Sequence, residues 1–156
     1  MGAGILLDGA LFAGASGRAG EIGHVVVEPD GPVCHCGGRG CLETVAGLEA
    51  LLGDAADLDS LAATRPDAVR SAGRALGIAL TGAVHLLDVP AVVLGGSYPR
   101  CGPLLLDAVR AELAARVFSR NGIDVRFSSL GPDAALRGAA TAVVQAVIAD
   151  PGAVIR

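Results

Sequence analysis

The alternation of apolar and polar positions divides the chain into short segments before any other property is considered. Ile5-Leu6-Leu7 and Ala10-Leu11-Phe12 flank Asp8-Gly9, a two-residue turn signal that predicts a hairpin over Gly4–Ala13. A brief apolar run, Val25-Val26-Val27, predicts a strand. Leu42–Leu52 has helical spacing and Leu58–Ala63 predicts a short helix. From Pro66, a residue suited to a first helical turn, a long amphipathic helix is predicted to about Leu87. Val69, Ala72, Leu76, Leu80, Val84 and Leu87 form its stripe. Ala91–Leu94 reads as a strand ended by Gly95-Gly96, Pro103–Val117 as a helix, and Ile123–Phe127 as an alternating strand. Ala134–Ala149 reads as a final Ala-rich helix stopped before Pro151. This order predicts one α/β domain over residues 1–156 with a mixed sheet.

Composition narrows the function classes. Apolar residues make up 52% and charged residues 18% of the 156 positions, which excludes a disordered chain. Aromatics amount to 3% and Trp is absent, so the core must be Ala, Val and Leu, and base stacking on aromatic platforms is disfavoured. The formal net charge is −4, with 12 basic against 16 acidic residues. Phosphate contacts need a basic face, so this segment is a poor candidate for touching DNA itself. No signal peptide or membrane-spanning run is visible.

Between Glu28 and Gly40 the breakers Pro29, Gly31, Pro32, Gly37, Gly38 and Gly40 predict a long loop. A structureless loop of this length in a compact domain needs something to hold it. Three of the four cysteines lie here, as Cys34-His35-Cys36-Gly37-Gly38-Arg39-Gly40-Cys41, with His24 upstream. Such clustering reads as metal ligation in a reducing compartment, the cytoplasm by default, rather than as a disulfide framework. Zinc takes four nitrogen or sulfur ligands in a tetrahedron, and His24, Cys34, Cys36 and Cys41 supply such a set. His35 is the rival fourth ligand. A cluster of reduced thiols without metal is the third reading. Cys101 reads as a free thiol near a helix start.

Gly20-Glu21-Ile22-Gly23-His24 followed by Cys34-x-Cys36-Gly37-x-x-Gly40-Cys41-Leu42-Glu43 resembles the zinc and sugar segment of the ROK family of repressors and sugar kinases. Gly2-Ala3-Gly4, Val93-Leu94-Gly95-Gly96-Ser97 and Leu136-Arg137-Gly138-Ala139-Ala140 resemble further parts of it. The resemblance implies the C-terminal lobe of a two-lobed, actin-like ATPase (ribonuclease H-like) sugar-kinase architecture, with a zinc loop at 24–41. It implies sugar contacts by Glu21, His24 and Glu43. It implies a nucleotide-side turn at Gly95 and Gly96, although an ordinary strand-to-helix turn accounts for those glycines equally. The family's catalytic aspartate and first phosphate loop belong to its N-terminal half. Asp8 and Asp30 replace neither, so this chain by itself is not expected to be a kinase. The implied function is that of a sugar-sensing, zinc-stabilised domain of a transcriptional regulator. It would bind a monosaccharide or amino sugar, form a homodimer, and meet DNA only through a preceding domain. Leu130-Gly131-Pro132-Asp133-Ala134 and Ala149–Val154 lean toward the regulators. The alternatives are the C-terminal half of a sugar kinase using ATP and Mg2+, and a zinc-stabilised dimerisation module without ligand.

Overall fold

The computed structural model describes residues 1–55, 57–118, 122–131 and 133–153. Pro132 and Val154, within two of the segments singled out above, lie outside them. The predicted hairpin forms between β1 (Leu6–Leu7) and β2 (Ala10–Leu11), paired antiparallel. Asp8 stands at its turn with φ 52°, a left-handed conformation that Asp tolerates. The helices that follow are α1 (Glu43–Ala46), α2 (Leu48–Leu52), α3 (Leu61–Thr64) and α4 (Pro66–Leu87). Then come β3 (Ala91–Leu94), α5 (Pro103–Arg116), β4 (Asp124–Phe127) and α6 (Ala134–Ala149).

Four expectations are corrected. Val25–Val27 is not a strand: among the described residues it makes a single bridge, Val26 to Cys41, and Val26 stays half exposed. Leu42–Leu52 is two helices because the backbone is extended at Gly47 (ψ 161°). A Cβ there would lie 2.4 Å from the Glu43 carbonyl oxygen. The mixed sheet is two separate ladders, β1–β2 antiparallel and β3–β4 parallel, with Val92 opposite Val125. The shorter helix also begins late. Asp57 accepts the Ser60 N–H at 2.9 Å, a local turn that competes with helix.

The core lies between α4 and α5. The predicted α4 stripe is buried from Val69 through Val84, and α5 answers with Leu105, Val109 and Leu113, one turn apart. Gly73 and Gly77 let the two backbones approach: a Cβ on Gly73 would stand 2.6 Å from the Ala108 Cβ, and one on Gly77 2.4 Å from that of Glu112. α4 ends at Asp88, left-handed at φ 50°. Arg110 reaches from α5 to the Val125 carbonyl at 2.6 Å and ties the helix to β4. Leu42, Leu51 and Leu61 extend the core toward α1, α2 and α3. By contrast, none of the sixteen residues of α6 is buried; Leu136, Val143, Val144 and Ile148 are all exposed. Among the described residues no helix is long and apolar enough to cross a membrane.

The chain's single tyrosine fastens the segment after β3 to α1. Tyr98 donates to the Ala46 carbonyl at 2.9 Å. Burial, with the Glu43 charge as a second cause, pushes its phenol well above the ordinary tyrosine range.

Two outcomes follow from this packing. Gly73→Ala should lower the urea midpoint. The gain in helix propensity of about 1 kcal/mol is outweighed by overpacking of roughly 1–3 kcal/mol. Gly82→Ala, on the same helix with nothing within 4 Å of the new Cβ, should raise the midpoint. In an ultraviolet titration, Tyr98 should remain protonated in the folded chain past pH ~10, where an unfolded tyrosine ionises. Because the folded state holds that proton more tightly, stability should fall as pH rises above ~10. Tyr98→Phe should abolish the phenolate signal and cost about 1 kcal/mol for the lost hydrogen bond.

Candidate metal and ligand site

The loop from His24 to Cys41 is built by backbone hydrogen bonds and by glycines where no other residue fits. His24 closes a single 3-10 turn over Ile22–His24, its N–H donating to the Glu21 carbonyl at 3.0 Å. The chain leaves along Val25–Val27 and returns beside itself. Gly40 accepts from the Val27 and Glu28 N–H groups at 2.9 and 3.1 Å, and Leu42 donates to Val25 at 2.8 Å. At Gly40 φ is 68° and a Cβ would sit 1.5 Å from the Glu28 carbonyl oxygen, so only glycine is compatible. A turn over Cys34–Gly37 is closed by Gly37 N–H to the Cys34 carbonyl at 2.9 Å, and Cys34 N–H bonds Gly38 at 2.8 Å. Arg39 donates to the Gly31 carbonyl at 2.9 Å and steadies the outer part of the loop.

This folding gathers the four expected ligands. One ligand atom from each of His24, Cys34, Cys36 and Cys41 lies within 4.8 Å of every other. Cys36 and Cys41 sulfurs are 3.7 Å apart, and Cys34 Sγ is 3.8 Å from His24 Nδ1. A zinc ion with Zn–S near 2.3 Å and Zn–N near 2.0 Å has tetrahedral edges of roughly 3.8 and 3.6 Å. The donor set therefore fits zinc in identity, number and spacing. All four cysteines are free thiols. The Gly38 N–H above all lowers the Cys36 thiol from its ordinary value. Burial, reinforced by the neighbouring thiols Cys36 and Cys34, pushes Cys41 up to about 11. Three thiols so close cannot all ionise without a compensating cation, and a bound dication inverts that balance.

The residues expected at a sugar gather only in part. Glu43 opens α1 two residues beyond Cys41, and its carboxylate lies over Gly23, where a Cβ would stand 2.6 Å from Oε2. Gly23 thus lets the acid approach the turn that carries His24. In this chain Oε2 also holds the Met1 ammonium at 2.5 Å. Glu21 caps the same 3-10 turn and is exposed. Gly95 and Gly96 lie elsewhere, beyond the end of β3, where Gly95 faces Ser128 at the end of β4 and Gly96 has φ 62°. Tyr98 links the two regions, since it follows that turn and reaches α1 three residues past Glu43. Spacing gives no hint of this tie; a lone tyrosine before Pro99 was the only signal. Cys101 is free, fully buried and pushed up by that burial.

Comparison with known proteins identifies the family. Residues 1–146 match the model of the ROK family. The xylose repressor of Bacillus subtilis is 33% identical over 92% of this chain and 41% of its own length. A glucokinase of Streptomyces griseus, solved in complex with glucose and AMPPNP, superposes with a TM-score of 0.76 at 29% identity, covering 90% of this chain and 56% of the other. A ROK-family transcriptional regulator, a homologue of the E. coli MLC protein, gives 0.71 at 26% identity over 81% and 38%. The chain thus spans from under half to just over half the length of these relatives. With the family model matched over nearly its whole length, the chain belongs to the ROK family.

Proposed function

We propose that this chain is the sugar-sensing, zinc-stabilised domain of a ROK-family transcriptional regulator. The observation that carries the reading is the tetrahedral spacing of His24, Cys34, Cys36 and Cys41 next to the carboxylate of Glu43. With four protein ligands the zinc has no open position, so its contribution is to hold the loop rather than to activate water. His24 would ligate through one ring nitrogen and keep the other as a donor toward a sugar hydroxyl. Glu21 and Glu43 would accept hydrogen bonds from neighbouring hydroxyls. The ligand is a monosaccharide or amino sugar. Similarity to a xylose repressor supports the regulator reading, and the net charge of −4 leaves DNA contact to another part of such a protein. Homodimerisation through the apolar helices is part of the same proposal.

A second reading has its own observation. The glycine turn at the ends of the parallel β3–β4 pair, together with the TM-score of 0.76 to a glucokinase, fits the C-terminal half of a sugar kinase. ATP and Mg2+ would then enter at Gly95 and Gly96.

Elemental analysis of the purified chain should find about one zinc per chain. Cys36→Ser should lose it and lower the thermal midpoint, as chelation does for the unaltered chain; unchanged zinc content in that variant would sink the ligand assignment. In calorimetry against xylose, glucose and N-acetylglucosamine, one sugar should bind. Glu43→Gln should weaken that binding about tenfold, the loss of roughly 1.4 kcal/mol from a charged hydrogen bond. Turnover of glucose with ATP and Mg2+ would replace the regulator by the kinase.

A further inference from the structure

We propose that His35 is a second imidazole ligand for the metal, one that takes the nitrogen position when His24 leaves it. The inference rests on the zinc reading above. Its basis is a duplication around one thiol. His24 Nδ1 and His35 Nδ1 each lie 3.8 Å from Cys34 Sγ. Both distances are close to the roughly 3.6 Å sulfur–nitrogen edge of tetrahedral zinc. The two rings meet edge to face, with centroids 5.5 Å apart and planes at 72°. They flank the same sulfur and contend for the one nitrogen position of the tetrahedron. His24 is the ring within mutual reach of all three sulfurs, so it holds that position at rest.

The two histidines are mounted differently. His24 ends the 3-10 turn whose Gly23 lies under Glu43, so its ring stands between the metal and the ligand side. His35 sits inside the Cys34–Gly37 turn, between two metal ligands, and is exposed. Its backbone is that of the thiol loop itself, and its exposed ring lies beside Cys34. That arrangement gives it a high effective concentration at the metal. Transient detachment of His24 would otherwise open one coordination position to water, and an open zinc is no longer a closed structural site. Capture by His35 keeps four protein ligands and keeps the loop closed until His24 returns.

Cadmium-113 reports the ligand directly, because its nuclear spin couples to the ring protons of a bound imidazole. The chain loaded with 113Cd should take one ion and show coupling to His24. His24→Ala should still take one ion and show coupling to His35. The double variant His24→Ala/His35→Ala should show no imidazole coupling and bind on the order of tenfold more weakly than His24→Ala. Absence of imidazole coupling in His24→Ala, or equal affinity of the single and double variants, overturns the role of His35 while leaving the zinc reading intact. Failure of the unaltered chain to bind the ion overturns both. The His35→Ala variant should release zinc to a chromophoric chelator several-fold faster than the unaltered chain does. Equal release rates would overturn the proposal.

Discussion

Eighteen residues from His24 to Cys41 fold back on themselves with little apolar surface to hold them, and everything on the ligand side of the molecule depends on their doing so. Only Cys34, Gly40 and Cys41 are buried between Val25 and Cys41. Val25, Val26 and Val33 remain exposed. The backbone closes the loop by a handful of hydrogen bonds, each worth on the order of 1 kcal/mol net, against an ordering cost of about the same size per residue. Hydrogen bonds alone therefore leave such a loop near balance. Three sulfurs and one nitrogen at tetrahedral separations supply the missing term once a cation joins them, and a structural zinc contributes folding free energy outright.

From that loop the constraint passes inward along a short path. Cys41 is followed by Leu42, fully buried, and Leu42 by Glu43 at the head of α1. The loop is thus fastened at one end to the α4–α5 core and at the other to the 3-10 turn of His24. α1 in turn is clasped by Tyr98, which belongs to the segment after β3. Burial on one side and the Glu43 charge on the other both hold the Tyr98 proton in place, so the clasp stays a hydrogen-bond donor throughout the neutral range. Contacts thus connect the helix that carries Glu43 to the turn that follows β3. The route consists of packed and hydrogen-bonded contacts over a few residues.

Much of this was legible in the sequence, and the failures have physical causes. The long helix, the strands at Ala91–Leu94 and Asp124–Phe127, and the last two helices follow from periodicity and from prolines at the right places. That His24, Cys34, Cys36 and Cys41 gather was expected from thiol spacing and glycine content. What periodicity does not carry is the partner of each face. Val25–Val27 has the residues of a strand yet finds only one bridge. α6 has the residues of a helix, yet not one of them is buried. A single glycine at 47 split a helix that the apolar spacing ran together, because the pattern continues across a break in φ and ψ. The approach of Glu43 to Gly23 and the reach of Tyr98 are long-range contacts with no local signature.

The same separation governs what the site says about chemistry. A closed tetrahedral metal site would be blind to whether the protein around it regulates or phosphorylates, since both uses would need the loop in the same place. Distinguishing sugars is a matter of which hydroxyl meets which acceptor, and a buried acceptor left unpaired costs more than a lost methylene contact. Glu43 is the informative group in that respect. Its carboxylate is three-quarters shielded. A ligand that reached so shielded a carboxylate would have to offer hydroxyls in good geometry rather than apolar surface. Affinity at this position is thereby tied to hydrogen-bond donors on the ligand. On the proposed reading that would hold equally for a sensor and for an enzyme, and it would make the metal loop, rather than the turn at Gly95 and Gly96, the place where ligand hydroxyls are met.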